Sequence, residues 1–361
     1  MLALSLPGQG GLARTGAALI LALTANRIGR MFCATVSSAS VFRRHEVVIA
    51  GVAQALGLLF IFFSDFRGGN VLMLVASAVF LGVGLTAGNI FFRTLLTTGA
   101  SRVNNAAYSA LFYVLWGIGV AFSGLAWDFP FKNFIVLGMA AIALGGCLIS
   151  RYLWPGLVPD SNEDGVSVDF KRINDWTRIF ILSIPAAMVA CVAILFNTAL
   201  IPILTINFGF SVPETGVAAC FLVIGNMLVL IRLSHKLKPD FSALSGFVLS
   251  VTGNILLVVC LFLLRNAKLA AVFVIIGVGW FSALSLKFQM DFVCAKAGKN
   301  QHRLIHALSE VIAILGGISF AILDKAGVPL PAQFAGIALG LSLWKVASAD
   351  KLGEMRNYVQ H

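Results

Sequence analysis

Charged residues are scarce in this chain. Only 11% of its 361 residues are Asp, Glu, Lys or Arg, whereas 59% are hydrophobic and the mean hydropathy is +0.94. A soluble protein of this length needs far more charge to cover its surface. Long apolar runs recur along the whole chain, which is typical of helices that cross a bilayer. The sequence therefore predicts an all-α integral membrane protein.

The sequence also lacks the usual signatures of enzymes and of nucleic-acid-binding proteins. Its 6 cysteines are spread singly, without the spacing of a metal or redox site, so we expect no disulfide framework and no bound metal. We find no phosphate-binding glycine loop and no catalytic Ser–His–Asp or paired-carboxylate cluster, so we predict neither an enzyme nor a cofactor. The net charge of +11 comes without a basic helix, and we expect it to orient the chain in the membrane and not to bind nucleic acid.

One polar stretch divides the chain. Residues 155–177 form the only long segment without an apolar run, and we interpret them as a cytoplasmic linker. The linker separates a first bundle of about five spans in residues 1–154 from a second bundle of six spans in residues 178–348. Residues 349–361 form a polar tail.

The apolar runs predict eleven transmembrane helices, each long enough to cross roughly 30 Å of hydrocarbon. In chain order they are 15–38, 47–64, 70–92, 104–126, 133–154, 178–205, 212–231, 241–264, 269–290, 304–323 and 330–348. Of the 26 Lys and Arg residues, 18 fall on one side of these spans and 6 on the other, while Arg27 and Arg30 fall within a span. Positive residues concentrate on the cytoplasmic side, so we expect the linker and C-terminus inside and the N-terminus outside.

The two halves resemble each other in sequence. Residues 80–127 are parallel to 275–323, since both begin with a span containing Gly-x-Gly and return through a span rich in small residues. Residues 23–51 likewise match 222–246. Repeated halves are typical of secondary transporters, which bind their substrate at the interface between the halves. The first half is one helix short in this alignment, because only MLALSLP precedes the turn that a full span precedes in the second half.

Two six-helix halves joined by a cytoplasmic linker are the plan of the major facilitator superfamily, and the chain resembles a member that lacks the first helix. The family's motif between its second and third helices falls on ATVSSASVFRRHE, which keeps the basic pair Arg43 and Arg44. The motif's glycine and acidic positions fall near Thr35 and Ala39, so this match is degenerate.

The resemblance implies transport of a small solute by alternating access, with protons as the coupling ion. We expect export of a small organic compound, such as a drug or siderophore, across a bacterial inner membrane. Two alternatives stay open: uptake of a small anion or metabolite, and a transporter-like scaffold or sensor that no longer transports. A membrane enzyme or lipid-linked sugar flippase is a weaker alternative.

Charged residues within the spans are the first candidates for function, because a charge in hydrocarbon is costly. Arg27 lies near the middle of the first span, Arg30 follows one turn later, and His306 and Glu310 share a face of the 304–323 span. The resemblance places the first span beside 304–323, which implies that Arg30, and with it Arg27, reaches Glu310. We hypothesise that this pair closes the cytoplasmic side in one transport state.

These charged residues have alternative roles. Glu310, with His306, could carry the coupled proton, or Glu310 could be only a structural partner of an arginine. Arg27 could instead anchor an anionic substrate, with Asn26 and Arg30 strengthening the positive potential. Further candidates are polar or aromatic residues within spans, for which hydrogen bonding between helices is the alternative role. They are Asn105, Tyr108, Trp116, Asn197 and Asn226.

Overall fold

A computed structural model of the protein describes most of the predicted helical segments. The described residues are 11–36, 40–63, 71–97, 118, 121, 125, 130–153, 176–233, 242–264, 267–296 and 301–348. Within them every regular element is a helix. Most of the predicted 104–126 span and of the 155–177 linker lies outside the described residues, so the count of eleven spans stays a prediction.

The described part of the chain forms ten α-helices, each of which overlaps one predicted span. They are α1 (Gly11–Val36), α2 (Ser40–Phe63), α3 (Val71–Thr97), α4 (Lys132–Leu153), α5 (Trp176–Pro202), α6 (Val212–Leu233), α7 (Ser242–Leu263), α8 (Lys268–Lys296), α9 (Gln301–Lys325) and α10 (Leu330–Ala347). Six described segments are long and apolar enough to cross a membrane. These are His45–Phe63, Trp176–Asn207, Val212–Val229, Lys268–Ser285, Leu304–Lys325 and Leu330–Ala347. The expected all-α integral membrane protein is confirmed.

The turn between α5 and α6 shows how local sequence sets the helix boundaries. α5 continues past Pro202 into a π-helical turn, Ile203–Asn207, and the chain then reverses at Gly209, whose φ of 63° suits a residue without a Cβ. The Glu214 carboxylate accepts a hydrogen bond from the Ser211 N–H at 2.7 Å, and the Ser211 hydroxyl accepts one from the Glu214 N–H at 3.4 Å. This reciprocal capping box begins α6.

The two halves pack in the same way. In the first half α3 packs against α1 and α2, and in the second half α8 packs against α6 and α7. Gly29 of α1 faces the backbone of Val79 and Val83 on α3, and Gly82 of α3 faces the carbonyl of Asn26. Because small residues let transmembrane helices approach closely, these glycines allow backbone contact at the crossing.

The second half repeats this crossing between α6 and α8. Gly225 faces the backbone of Ile276 and Trp280, and Gly279 faces the carbonyl of Leu222. The expected pseudo-symmetry is therefore present, but its register differs from the sequence alignment. The structure gives Gly82 the position of Gly279, whereas alignment of the two Gly-x-Gly motifs pairs Gly82 with Gly277. The equivalence of Gly29 and Gly225 also pairs Arg30 with Asn226.

α5 also takes part in the contact between the two halves. It contacts α9 and α10 of its own half and also α1 of the first half. Fifteen of its 27 residues are buried. Most of these are apolar, and two of them, Ser183 and Thr198, carry hydroxyl groups. The outer helices behave differently, since α4 exposes Ile142 and Ile149, and α10 exposes Leu339 and Val346. Such exposed apolar faces suit contact with lipid.

Candidate functional site

The two halves meet where α1 crosses α9, a contact that we call the seam. Three apolar residues from three helices form one end of it, since Ile20 of α1, Ile194 of α5 and Ala321 of α9 cluster together. One turn further along α1, the side chain of Thr24 occupies the space that a Cβ on Gly317 would need. Gly316 faces the sulfur of Cys191 on α5 in the same way. Glycines on α9 therefore set the closeness of the seam.

An ion pair crosses the seam one turn beyond Thr24. Arg27 Nη1 donates to both carboxylate oxygens of Glu310, at 3.3 Å to Oε1 and 3.4 Å to Oε2. The two side chains are 13% and 4% exposed. Charge-assisted hydrogen bonds are strongest at about 2.7–2.9 Å, so this pair is buried but long. Burial costs both groups their hydration, and a single shared nitrogen returns only part of that cost.

Arg30 takes a different partner from the one that the sequence suggested. Its Nε donates to Asn26 Oδ1 at 3.1 Å, one turn back along α1. Asn26 Nδ2 in turn donates to the carbonyl of Ala78 on α3 at 3.1 Å. Asn26 therefore holds the arginine and ties α1 to α3. Arg30 is close enough to interact electrostatically with both Arg27 and Glu310. Of the two arginines that the resemblance placed near Glu310, Arg27 forms the ion pair.

Three of the remaining sequence candidates fall on described residues, namely His306, Asn197 and Asn226. His306 is exposed and lies four residues before Glu310 on α9. Asn197 is exposed and donates to the carbonyl of Ala193, while Asn226 is buried and donates to the carbonyl of Leu222. Each asparagine thus donates to a carbonyl of its own helix, four residues back. Asn105, Tyr108 and Trp116 lie outside the described residues.

Sequence reasoning missed the polar groups of Glu46 and Gln54, and it identified Asn254 only as a polar residue within a span. Glu46 is buried on α2. The predicted span begins at residue 47, but α2 begins at Ser40, so Glu46 lies within the helix. Gln54 Nε2 donates to the carbonyl of Gly84 at 3.3 Å, and Asn254 Nδ2 donates to the Ser282 hydroxyl at 2.8 Å. These two bonds join α2 to α3 and α7 to α8. For Gln54 and Asn254, the only signal in the sequence was a polar residue within a predicted span.

No metal site emerges from the part of the chain that the structure describes, where no three His, Cys, Asp or Glu side chains group together. The chemistry of the seam is therefore that of two guanidinium groups, one carboxylate and one amide. Such groups can bind anions, form and break an ion pair, and accept a proton at the carboxylate.

Comparison with known proteins shows similarity in fold without close similarity in sequence. No protein-family profile matches the sequence, and no curated protein sequence matches it significantly. Among solved structures, a variant of the nucleoside transporter NupG aligns over 94% of this chain and 91% of its own, with a TM-score of 0.63 and 14% identity.

Two further transporters align over most of the chain. A bacterial homologue of the iron transporter ferroportin covers 94% of this chain and 100% of its own, with a TM-score of 0.54 and 11% identity. The human organic anion transporter MFSD10 covers 92% of this chain and 84% of its own, with a TM-score of 0.57 and 13% identity. The helical arrangement of the two halves is therefore shared with these proteins.

Proposed function

We propose that this chain, which has the major facilitator fold of the transporters to which it is similar, is a secondary active transporter of a small solute. The observation that carries the proposal is the Arg27–Glu310 ion pair, which joins the two halves across the seam. The structural neighbours are named as a nucleoside transporter, a bacterial homologue of an iron transporter and an organic anion transporter, and these names all refer to small solutes. Alternating access requires the halves to part, and this pair lies where they must do so.

Glu310 offers a physical basis for proton coupling. A buried carboxylate that loses its positive partner favours the neutral form, because burial penalises the charge. Separation of α1 from α9 would break the ion pair between Glu310 and Arg27, and closure would restore it. We propose that this cycle couples transport to a proton gradient.

We also propose the setting and direction of transport. The distribution of Lys and Arg supports a cytoplasmic linker and C-terminus in a bacterial inner membrane. Export of a small organic compound is the direction that we favour, and uptake of a small anion or metabolite is the alternative. On either route the protein acts as a carrier and not as an enzyme.

Purified protein in proteoliposomes with an imposed pH gradient tests this function. A pH-sensitive dye inside the vesicles should report proton movement when a transported solute is added, and a proton ionophore should abolish uphill movement of the solute. Glu310→Gln should remove coupling while the protein is still made and inserted. Glu214→Gln is the matched control, since it removes an exposed carboxylate that pairs with Lys268 away from the seam.

The results separate the alternatives. Normal coupled transport by Glu310→Gln would contradict the role of the ion pair. Absence of flux from the unaltered protein, together with a stable complex with another membrane protein, would favour the scaffold. Solute flux is measured into and out of the vesicles, and the orientation of the inserted protein is determined separately. The two results together show whether the protein exports the solute or takes it up.

A further inference from the structure

The seam carries an excess of positive charge. Among the described residues, Arg27, Arg30 and Glu310 interact with one another, so two guanidinium groups face one carboxylate. Among the described residues, Glu310 forms its ion pair with Arg27, and no carboxylate forms one with Arg30. A net charge within a membrane is costly and is a functional site by default.

Both guanidinium groups also have hydrogen-bond donors to spare. A guanidinium offers five N–H donors in a planar fork. Among the bonds to described residues, Arg27 donates from Nη1 to Glu310 and Arg30 donates from Nε to Asn26. Neither side chain is completely enclosed, since Arg27 is 13% exposed and Arg30 is partly buried. A small group that enters the seam can therefore reach donors on two adjacent arginines.

The Arg30 side chain is held toward the middle of α1. It lies six residues from the end of α1 at Val36, or about 9 Å at the rise of an α-helix. A long arginine at this depth can extend toward the headgroups. The bond from Nε to Asn26 points the other way, toward the middle of the helix, and the bond from Asn26 to Ala78 keeps the amide in place. The guanidinium is thereby positioned before any ligand arrives.

The packing of the helices does not require this charge. The second half builds the same glycine crossing, and Asn226 takes the position of Arg30 there. Asn226 donates to the carbonyl of Leu222, four residues back, just as Arg30 donates to Asn26. An uncharged residue thus completes the equivalent crossing, and the arginine is an addition of the first half alone.

From these observations we propose that the seam binds an oxyanion of the transported solute, with Arg30 as its main charge-assisted donor and Arg27 as the second. The proposal deepens the proposed function, on which it rests, by naming small organic anions, and carboxylates first among them, as the substrate class. A carboxylate fits because its two oxygens match the paired N–H groups of a guanidinium. The bound anion brings the charge of the seam to zero.

Binding to the purified full-length chain tests the proposal without any need for flux. The probes are matched acid and amide pairs, benzoate with benzamide and nicotinate with nicotinamide, together with inorganic phosphate. The thermal unfolding midpoint and calorimetric titration are measured at constant pH and ionic strength. We expect the acids to raise the midpoint and the amides to leave it unchanged. A response to phosphate alone would identify an inorganic anion site and overturn the organic substrate class.

Variants locate the site. Arg30→Gln should weaken binding of the acid by about tenfold or more, because a hydrogen bond to a charged group is lost. Arg30→Lys should retain part of the affinity, since it keeps the charge and loses the fork. Lys268→Gln, which removes an exposed cation at the start of α8, should bind as the unaltered protein does. Equal responses to acids and amides, no response to any acid, or unchanged binding by Arg30→Gln would each overturn the proposal.

Glu310→Gln gives a test in the opposite direction and covers the case in which Arg30→Gln does not fold. It removes the carboxylate that competes for Arg27, so the acid should bind about tenfold more tightly. Weaker binding would contradict the site. Acid binding without flux would overturn the transporter and keep the anion site, whereas flux of neutral solutes without acid binding would do the reverse.

Discussion

Thr24 and Gly317 are in contact where the two halves cross. A Cβ built on Gly317 would lie 3.0 Å from the Cβ of Thr24, and the Thr24 hydroxyl fills the remaining space while it donates to the carbonyl of Ile20 at 2.7 Å. α1 and α9 therefore approach with only the Thr24 side chain between them at this point. The ion pair of Arg27 and Glu310 lies one to two turns away and depends on this contact for its alignment.

A covalent link across this contact should stop transport. With the native cysteines replaced by alanine, Thr24→Cys and Gly317→Cys together place two Cβ atoms close to the 3.5–4.5 Å range of disulfides. We expect oxidation to abolish flux in proteoliposomes and a reductant to restore it. Each single cysteine variant is the control. Full flux from the oxidised and verified cross-link would show that the seam does not open during transport.

A larger side chain at Gly317 should hinder closure of the seam. Gly317→Val forces atoms into the space of Thr24, and overpacking of this kind costs about 1–3 kcal/mol. Such a cost would shift the balance between two transport states by roughly fivefold to 150-fold. The initial rate of transport measures the effect. Gly336→Val on α10 is the control, because nothing lies near the added Cβ, and equal rates for the two variants would contradict the importance of the seam.

The ion pair predicts a specific pattern of stability. Glu310→Gln leaves Arg27 buried without its partner, and such a change costs about 3–5 kcal/mol. The double variant Arg27→Gln/Glu310→Gln removes both charges and should recover much of that loss. Thermal unfolding of the single and double variants forms a double-mutant cycle that isolates the interaction. Strict additivity of the two single effects would mean that the pair is not formed.

The two glycine crossings should respond alike. Gly29→Ala and Gly225→Ala each add a methyl group against backbone atoms of the partner helix, so we expect each to lower the unfolding midpoint through strain of about 1–3 kcal/mol. Gly138→Ala on α4 is the control, because its added Cβ meets nothing and alanine favours a helix. Destabilisation by only one of the two crossings would argue against their structural equivalence.

Membrane class, the positions of the helices and the existence of two related halves follow from the amino-acid order alone. Hydropathy and helix length are local properties, and a residue needs no partner to be too apolar for water. Local sequence also identifies Arg27, Arg30 and Glu310 as candidates for function, because each is an ionisable residue within an apolar run. The capping box at Ser211 and Glu214 is equally local.

Local sequence could not decide which of the two arginines pairs with Glu310. Arg27 and Arg30 are three residues apart and differ by less than one helical turn, so the choice depends on the rotation and depth of α1 against α9. The contact of Thr24 with Gly317 sets both, and it joins residues almost three hundred positions apart. The equivalence of Gly82 with Gly279 is likewise a property of two helix crossings and not of the Gly-x-Gly motif. Distances between helices arise from packing, which acts across the chain and leaves no trace in local sequence order.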